Sequence, residues 1–173
     1  MLSDIRNYVD TNTLLPILVG ASVTDTIGLF IWRYTADKDG PINKWYNIYG
    51  IVAYIIDILS IIIGIVLTQL ITTAIGGPWN PVMFCAVAVA VQMFHDTFFG
   101  KVVLDNFPKN KNSIMDLLKE YADKSGSGIL IVDAIYMIVA SLIAMVLFKQ
   151  KRWISWFILL WTFYTTGYVL YTQ

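Results

Sequence analysis

Five long runs of apolar residues, separated by short polar breaks, set the pattern of this chain. A helix rises about 1.5 Å per residue, so about 20 mostly apolar residues cross a hydrocarbon core about 30 Å thick. The pattern predicts spans over about 14–32, 46–75, 81–104, 128–148 and 153–171. Thr11, Asn12 and Thr13 are candidate caps before the first span, Pro16 fits its first turn, and Arg33 closes it. The second span is the most apolar and is long enough to tilt or to project from the bilayer. Gly76-Gly77-Pro78 breaks it, and so short a turn makes the third span its antiparallel neighbour. Lys149, Lys151 and Arg152 separate the fourth span from the fifth.

An open strand edge cannot pair its backbone groups in lipid, and no alternating barrel pattern is present. The predicted fold is therefore all-α: a single polytopic membrane domain over residues 1–173, embedded in a lipid bilayer. The opening Met1-Leu2-Ser3-Asp4 lacks the basic region that begins a cleavable signal, so the first span is expected to persist. Between spans three and four, residues 112–124 carry Ile114, Leu117, Leu118 and Tyr121 at helical spacing, with Ser113 and Asp116 suited to a helix start and Ser125-Gly126 to its end. The spacing fits an amphipathic helix lying in the membrane interface, and equally an ordinary solvated connector. Leu2, Ile5 and Val9 suggest a shorter amphipathic piece ahead of span one.

Composition agrees with the spans, since 57% of residues are hydrophobic and 14% charged, against roughly 25% charged in a soluble domain. Twelve basic and twelve acidic residues cancel, so no global field attracts nucleic acid. The single cysteine, Cys85, permits neither an intrachain disulfide nor a cysteine-based zinc site. No nucleophile elbow, metalloprotease helix, phosphate loop or dinucleotide fingerprint appears, so nothing marks an enzyme or a particular cofactor. With five spans, Arg33, Lys38, Lys44, Lys101, Lys109, Lys111, Lys119 and Lys124 share one side, and Arg6, Lys149, Lys151 and Arg152 the other. The positive-inside rule then places the N-terminus outside and the C-terminus inside, although the tight cluster at 149–152 pulls the opposite way.

The first four spans each contain an aspartate: Asp25, Asp57, Asp96 and Asp133. An aspartate at a helix centre costs about 2.5–3.5 kcal/mol to insert, so four unpaired ones would cost on the order of 10 kcal/mol. All four fall in the same half of the bilayer. Thr24-Asp25-Thr26 matches His95-Asp96-Thr97, and the run from Gly50 to Asp57 matches that from Gly128 to Asp133. The two aspartate pairs are separated by 32 and 37 residues, the difference being a longer second loop. These matches predict a parallel internal duplication, spans one and two repeating as three and four about an axis along the membrane normal.

Four carboxyls converging on that axis could not all ionise in a low dielectric, which makes them a proton store or a cation site. Gln92 shares the Asp96 face of span three, and Tyr54 the Asp57 face of span two. His95 points about 100° away from Asp96, towards a neighbouring helix's acid, and could act as a shuttle or metal ligand. No ligand spacing specifies a metal. The competing reading has the acids hydrogen-bonded to Thr, Ser, Tyr and backbone groups, serving only to hold helices together. Span five has no charge and carries Trp153, Trp156, Phe157, Trp161, Phe163, Tyr164, Tyr168 and Tyr171, which suit lipid anchoring, a second copy of the chain, or an apolar ligand. No lysine lies away from a span edge, which excludes a retinal Schiff base.

The order Gln92-Met93-Phe94-His95-Asp96-Thr97-Phe98-Phe99, Asn106-Phe107-Pro108-Lys109, Met115-Asp116-Leu117-Leu118-Lys119-Glu120-Tyr121-Ala122 and Ile129-Leu130-Ile131-Val132-Asp133 resembles small uncharacterised multi-span membrane proteins of nucleocytoplasmic large DNA viruses. The likeness covers spans three and four and their loop. It implies a place in a virion or host membrane, with a structural role there as one expectation, and implies no activity.

Overall fold

The computed structural model describes residues 2–172, and among them every regular element is helical. A 3₁₀ turn at Thr11–Thr13 leads into α1 (Leu14–Thr35). Then come α2 (Pro41–Tyr49), α3 (Ile51–Ile75) and α4 (Pro81–Phe98), the last running on through a π-helical turn at Phe99–Leu104. The chain closes with α5 (Ser113–Ser125), α6 (Gly128–Leu147) and α7 (Arg152–Leu170). Five of these, α1, α3, α4, α6 and α7, are long and apolar enough to cross a membrane.

The four acid-bearing helices form a ring in which α1 packs on α3, α3 on α4, α4 on α6 and α6 on α1, while α7 packs on the outside of α1. The short helices α2 and α5 meet each other at the end of the ring where α1 and α4 finish. Lys44 pairs with Glu120 at 2.7 Å and Lys124 with Asp37 at 3.3 Å across that end, and a backbone hydrogen bond from Asp39, followed by Lys124, holds Asp37 below the usual carboxylate value. Both pairs are exposed and add little to stability.

Long helix, short helix, glycine, long helix therefore occurs twice. Gly50 and Gly126, with φ of +53° and +52°, cap α2 and α5 in a backbone conformation that glycine alone adopts readily. Each lies seven residues before an aspartate, Asp57 or Asp133. This sets the repeat register at Gly50 with Gly126, where the sequence pattern suggested Gly128. The same turn corrects the start of span two. Tyr46, Ile48 and Tyr49 continue the apolar pattern into the span, but the positive φ at Gly50 breaks the helix and assigns them to α2.

Other ends shift for identifiable reasons. Asn112, ahead of Ser113, caps α5 by accepting from the backbone of Ile114 and Met115, and Asp10 caps the turn at Thr11. The segment expected as an amphipathic piece around Leu2, Ile5 and Val9 is not helical. It runs as a strap across the end opposite α2 and α5, because the bundle offers it partners there. Gln69 Nε2 donates to the Ile5 carbonyl, Thr73 to that of Arg6 and Trp79 to that of Leu2, while Ser3 N–H donates to Met145. Ile5 is fully buried among Ile17, Ile65, Phe84, Ala144 and Met145.

Helix α7 turns Ser155, Leu159, Thr162, Thr166 and Leu170 inward and leaves its large aromatics exposed, so its hydroxyl face makes the contact with the bundle. Contact between α1 and α6 depends on Gly20, where an added Cβ would collide with the Ala140 carbonyl oxygen. Gly20→Val should therefore destabilise the protein by about 1–3 kcal/mol, as overpacking does. Thermal melts in detergent check this, with Gly167→Ala, which meets nothing within 4 Å, as the control that loses no stability. An unchanged melt for Gly20→Val would remove the close approach from the account.

Candidate functional site

At the α2 and α5 end, the ring encloses a cavity of about 240 Å³ lined by Asp25, Asp57, Asp96 and Asp133, one from each helix of the ring. Counting about 1.5 Å per residue, these lie about 8–15 Å inside the helix ends, all in the same half of a core about 30 Å thick. Gln92, Ile61 and Met137 also line it, and beneath them Ile65, Phe84, Ala88, Ala140 and Ala144 belong to the apolar cluster that fills the rest of the ring. Gly64 leaves room at that level for the end of the Met137 side chain. No lysine, arginine or histidine is among the lining residues.

The four acids have different surroundings. Asp57 Oδ2 accepts from Trp45 Nε1 at 3.0 Å and from the Tyr46 hydroxyl at 2.9 Å, so it ties α2 to α3 across the Gly50 turn. Burial, and then the nearby Asp25 and Asp57, raise Tyr46 well above its ordinary value, which keeps that hydroxyl a donor. Burial followed by Asp133 and Asp57 likewise pushes Tyr121 on α5 up to about 12. Asp96 Oδ1 accepts from Gln92 Nε2 at 2.8 Å, one turn earlier on α4. The Asp133 carboxyl is a neighbour of Asp96 in the lining. When both are ionised they only accept, and the buried Asp96 Oδ2 then has no donor. Asp25 is the deepest, at 1% exposure, and its Oδ2 has no partner.

Two residues expected at the site lie elsewhere. The Tyr54 hydroxyl joins Thr26 at 2.8 Å, Thr166 at 3.3 Å and the Ser22 carbonyl at 3.2 Å, a buried cluster linking α1, α3 and α7. Tyr54 stands about 60° around α3 from Asp57, on the side that meets α1 and α7 rather than the cavity. His95 does not line the cavity. Its side chain is half exposed, stacked on Phe99 at 5.9 Å, with Nδ1 3.1 Å from Asp96 Oδ1. It turns back to its neighbour's acid because Phe99, one turn on, holds the ring there.

Sequence reasoning missed the aromatic lining: Trp32, Trp45, Tyr46, Phe99, Tyr121 and Tyr136. A signal existed, since Trp32, Phe99 and Tyr136 follow Asp25, Asp96 and Asp133 by seven, three and three residues, on the same helix faces. The π-helical turn was also unannounced. It brings Gly100 and Leu104 into the lining, and such turns occur frequently at functional sites. Arg33 stays outside the cavity: its guanidinium donates to Asn43 and Asn47 and to the last turn of α7 at the Leu170 carbonyl, 5.9 Å from the Tyr46 ring centroid.

Among the described residues, no group of three or more His, Cys, Asp or Glu side chains is placed to hold a metal ion. No protein-family model, curated protein or solved structure matches the chain.

Asp57→Ala should release α2. Hydrogen bonds to a charged acceptor contribute about 1.5–3 kcal/mol, so a stability loss of that order is expected, with Trp45 emission shifted to the red relative to a Trp45→Phe background. Unchanged Trp45 emission would contradict the anchoring role. Because Tyr46 ionises above the ordinary tyrosine range, Tyr46→Phe should leave the tyrosinate absorbance gained near pH 10 unchanged. The raised value also means that the Tyr46 contribution to stability, full below about pH 10, is lost as pH rises towards the folded value.

Proposed function

We propose that this is a small membrane transporter or channel-like protein that handles protons or cations at the acidic cavity. The supporting observation is the set of four carboxyls, one from each ring helix, lining a space with no basic residue and including the unpartnered, buried Asp25 Oδ2. Side chains that served only to join helices would be satisfied by their neighbours, as Asp57 is by Trp45 and Tyr46. Among the described residues Asp25 and Asp133 have no side-chain donor, and the donors to Asp96 meet Oδ1 alone, so protons or a bound cation would supply what the chain does not.

The cavity sits at the end carrying eight of the twelve basic residues, so the positive-inside rule makes it cytoplasmic, with the N-terminus outside and the C-terminus inside. Its floor is apolar, so passage requires the layer of Met137 and Ile61 to move. Alternating exposure suits that arrangement better than a fixed open pore. The exposed aromatic face of α7 favours contact with lipid on the far side of α1.

Purified protein in liposomes loaded with pH-sensitive or cation-sensitive dye tests the proposal. A gradient-driven flux is expected, reduced at least tenfold by Asp25→Asn and by Asp133→Asn. Absence of flux for protons, sodium, potassium and divalent ions, under gradients of both directions, would reject it.

A further inference from the structure

We infer that the cavity's ligand is a small organic ammonium ion bearing N–H donors, bound between the aromatic rings and the aspartates. This rests on the acidic cavity being a cation site and names the class of cation. Three observations narrow the class.

The first is the lining. Trp32, Trp45, Tyr46, Phe99, Tyr121 and Tyr136 surround the same space as the four acids. Aromatic faces attract cations through the ring quadrupole, most strongly where water is excluded, and ammonium groups are typical guests of such cages. A proton relay would need carboxyls and water but has no use for six aromatic side chains.

The second is geometry. A hard metal ion takes six to eight oxygen ligands at about 2.0–2.6 Å, yet no three acidic or imidazole side chains among the described residues are grouped to hold one. The carboxyls surround the volume without closing on a point. A volume of about 240 Å³ lies just under the roughly 300 Å³ at which small-molecule pockets begin. That suits a charge carried on a short carbon body.

The third is the unpartnered acceptors. Asp25 Oδ2, on a side chain 1% exposed, and Asp96 Oδ2 are buried without donors. A quaternary ammonium has no hydrogen to give them, whereas a primary ammonium has three. The carboxyls would orient the charged head while the rings pack on the alkyl part.

Isothermal titration of the full chain in lipid nanodiscs, at constant ionic strength, provides the test. Butylammonium is expected to bind saturably, with tetramethylammonium at least tenfold weaker. Asp25→Asn and Tyr121→Leu should each weaken butylammonium at least tenfold while the protein still elutes as a folded species. Tyr121 is half-buried on a short helix at the cavity rim, so its variant serves even where Asp25→Asn does not fold. Tetramethylammonium binding as tightly as butylammonium would overturn the hydrogen-bonding requirement. Saturable sodium or calcium binding without any butylammonium binding would overturn this inference and leave the acidic cation site standing. Folded protein that binds none of them would overturn both.

Discussion

A carboxylate in a low-dielectric space needs an opposite charge, a set of donors or a proton, and this chain places four around one cavity without a basic residue in its lining. Much of the architecture follows from that constraint. The ring must bring α1 close to α6, and Gly20 provides the approach at Ala140. Below the acids it must exclude water, and Met137, packed where Gly64 leaves room, begins the apolar filling. Above them lie α2 and α5, which supply Trp45, Tyr46 and Tyr121. Opposite, the N-terminal strap fills the far end with Ile5 and satisfies its own backbone on Gln69, Thr73 and Trp79.

The twofold repetition explains why the acids share a depth, and the departures from it explain why they differ in chemistry. Each short helix ends on a glycine of positive φ, and each following helix carries its aspartate seven residues on. Trp45 and Tyr46 stand five and four residues before Gly50. Tyr121 and Ala122 stand five and four before Gly126. The first pair donates two hydrogen bonds to Asp57, whereas the second offers one hydroxyl at most, and among the described residues no α5 donor bonds Asp133. Asp133 lies instead near Asp96. At matching positions of the repeat, Asp57 thus holds its short helix and Asp133 does not.

The five spans and the four aspartates were legible in the sequence because hydropathy and formal charge act residue by residue. A run of about 20 apolar residues with one acid keeps its membrane-spanning character whatever packs against it. Features that depend on a backbone angle were not legible. The Gly50 turn falls within a largely apolar stretch, and periodicity cannot distinguish the end of α2 from the start of α3 there. Nor could pattern reveal that residues 2–10 would be extended, since their partners are Gln69, Thr73, Trp79 and Met145, far along the chain. Sharing a broad helix face was too coarse a criterion for Tyr54, which about 60° of rotation from Asp57 carries to the α1 and α7 seam. The aromatic lining comes from five separate helices and becomes a single feature only once the ring closes.

Keeping an unpartnered carboxyl buried costs stability, a cost that the proposed binding role would explain. Replacing Asp25 by Asn removes the charge and keeps the shape, so the thermal midpoint of Asp25→Asn beside wild type, in ligand-free detergent at neutral pH, addresses the claim directly. A midpoint equal to or above that of wild type is expected. A fall of about 3 °C or more, which about 1 kcal/mol produces in a chain of this length, would mean that Asp25 holds the bundle together, and would contradict the account.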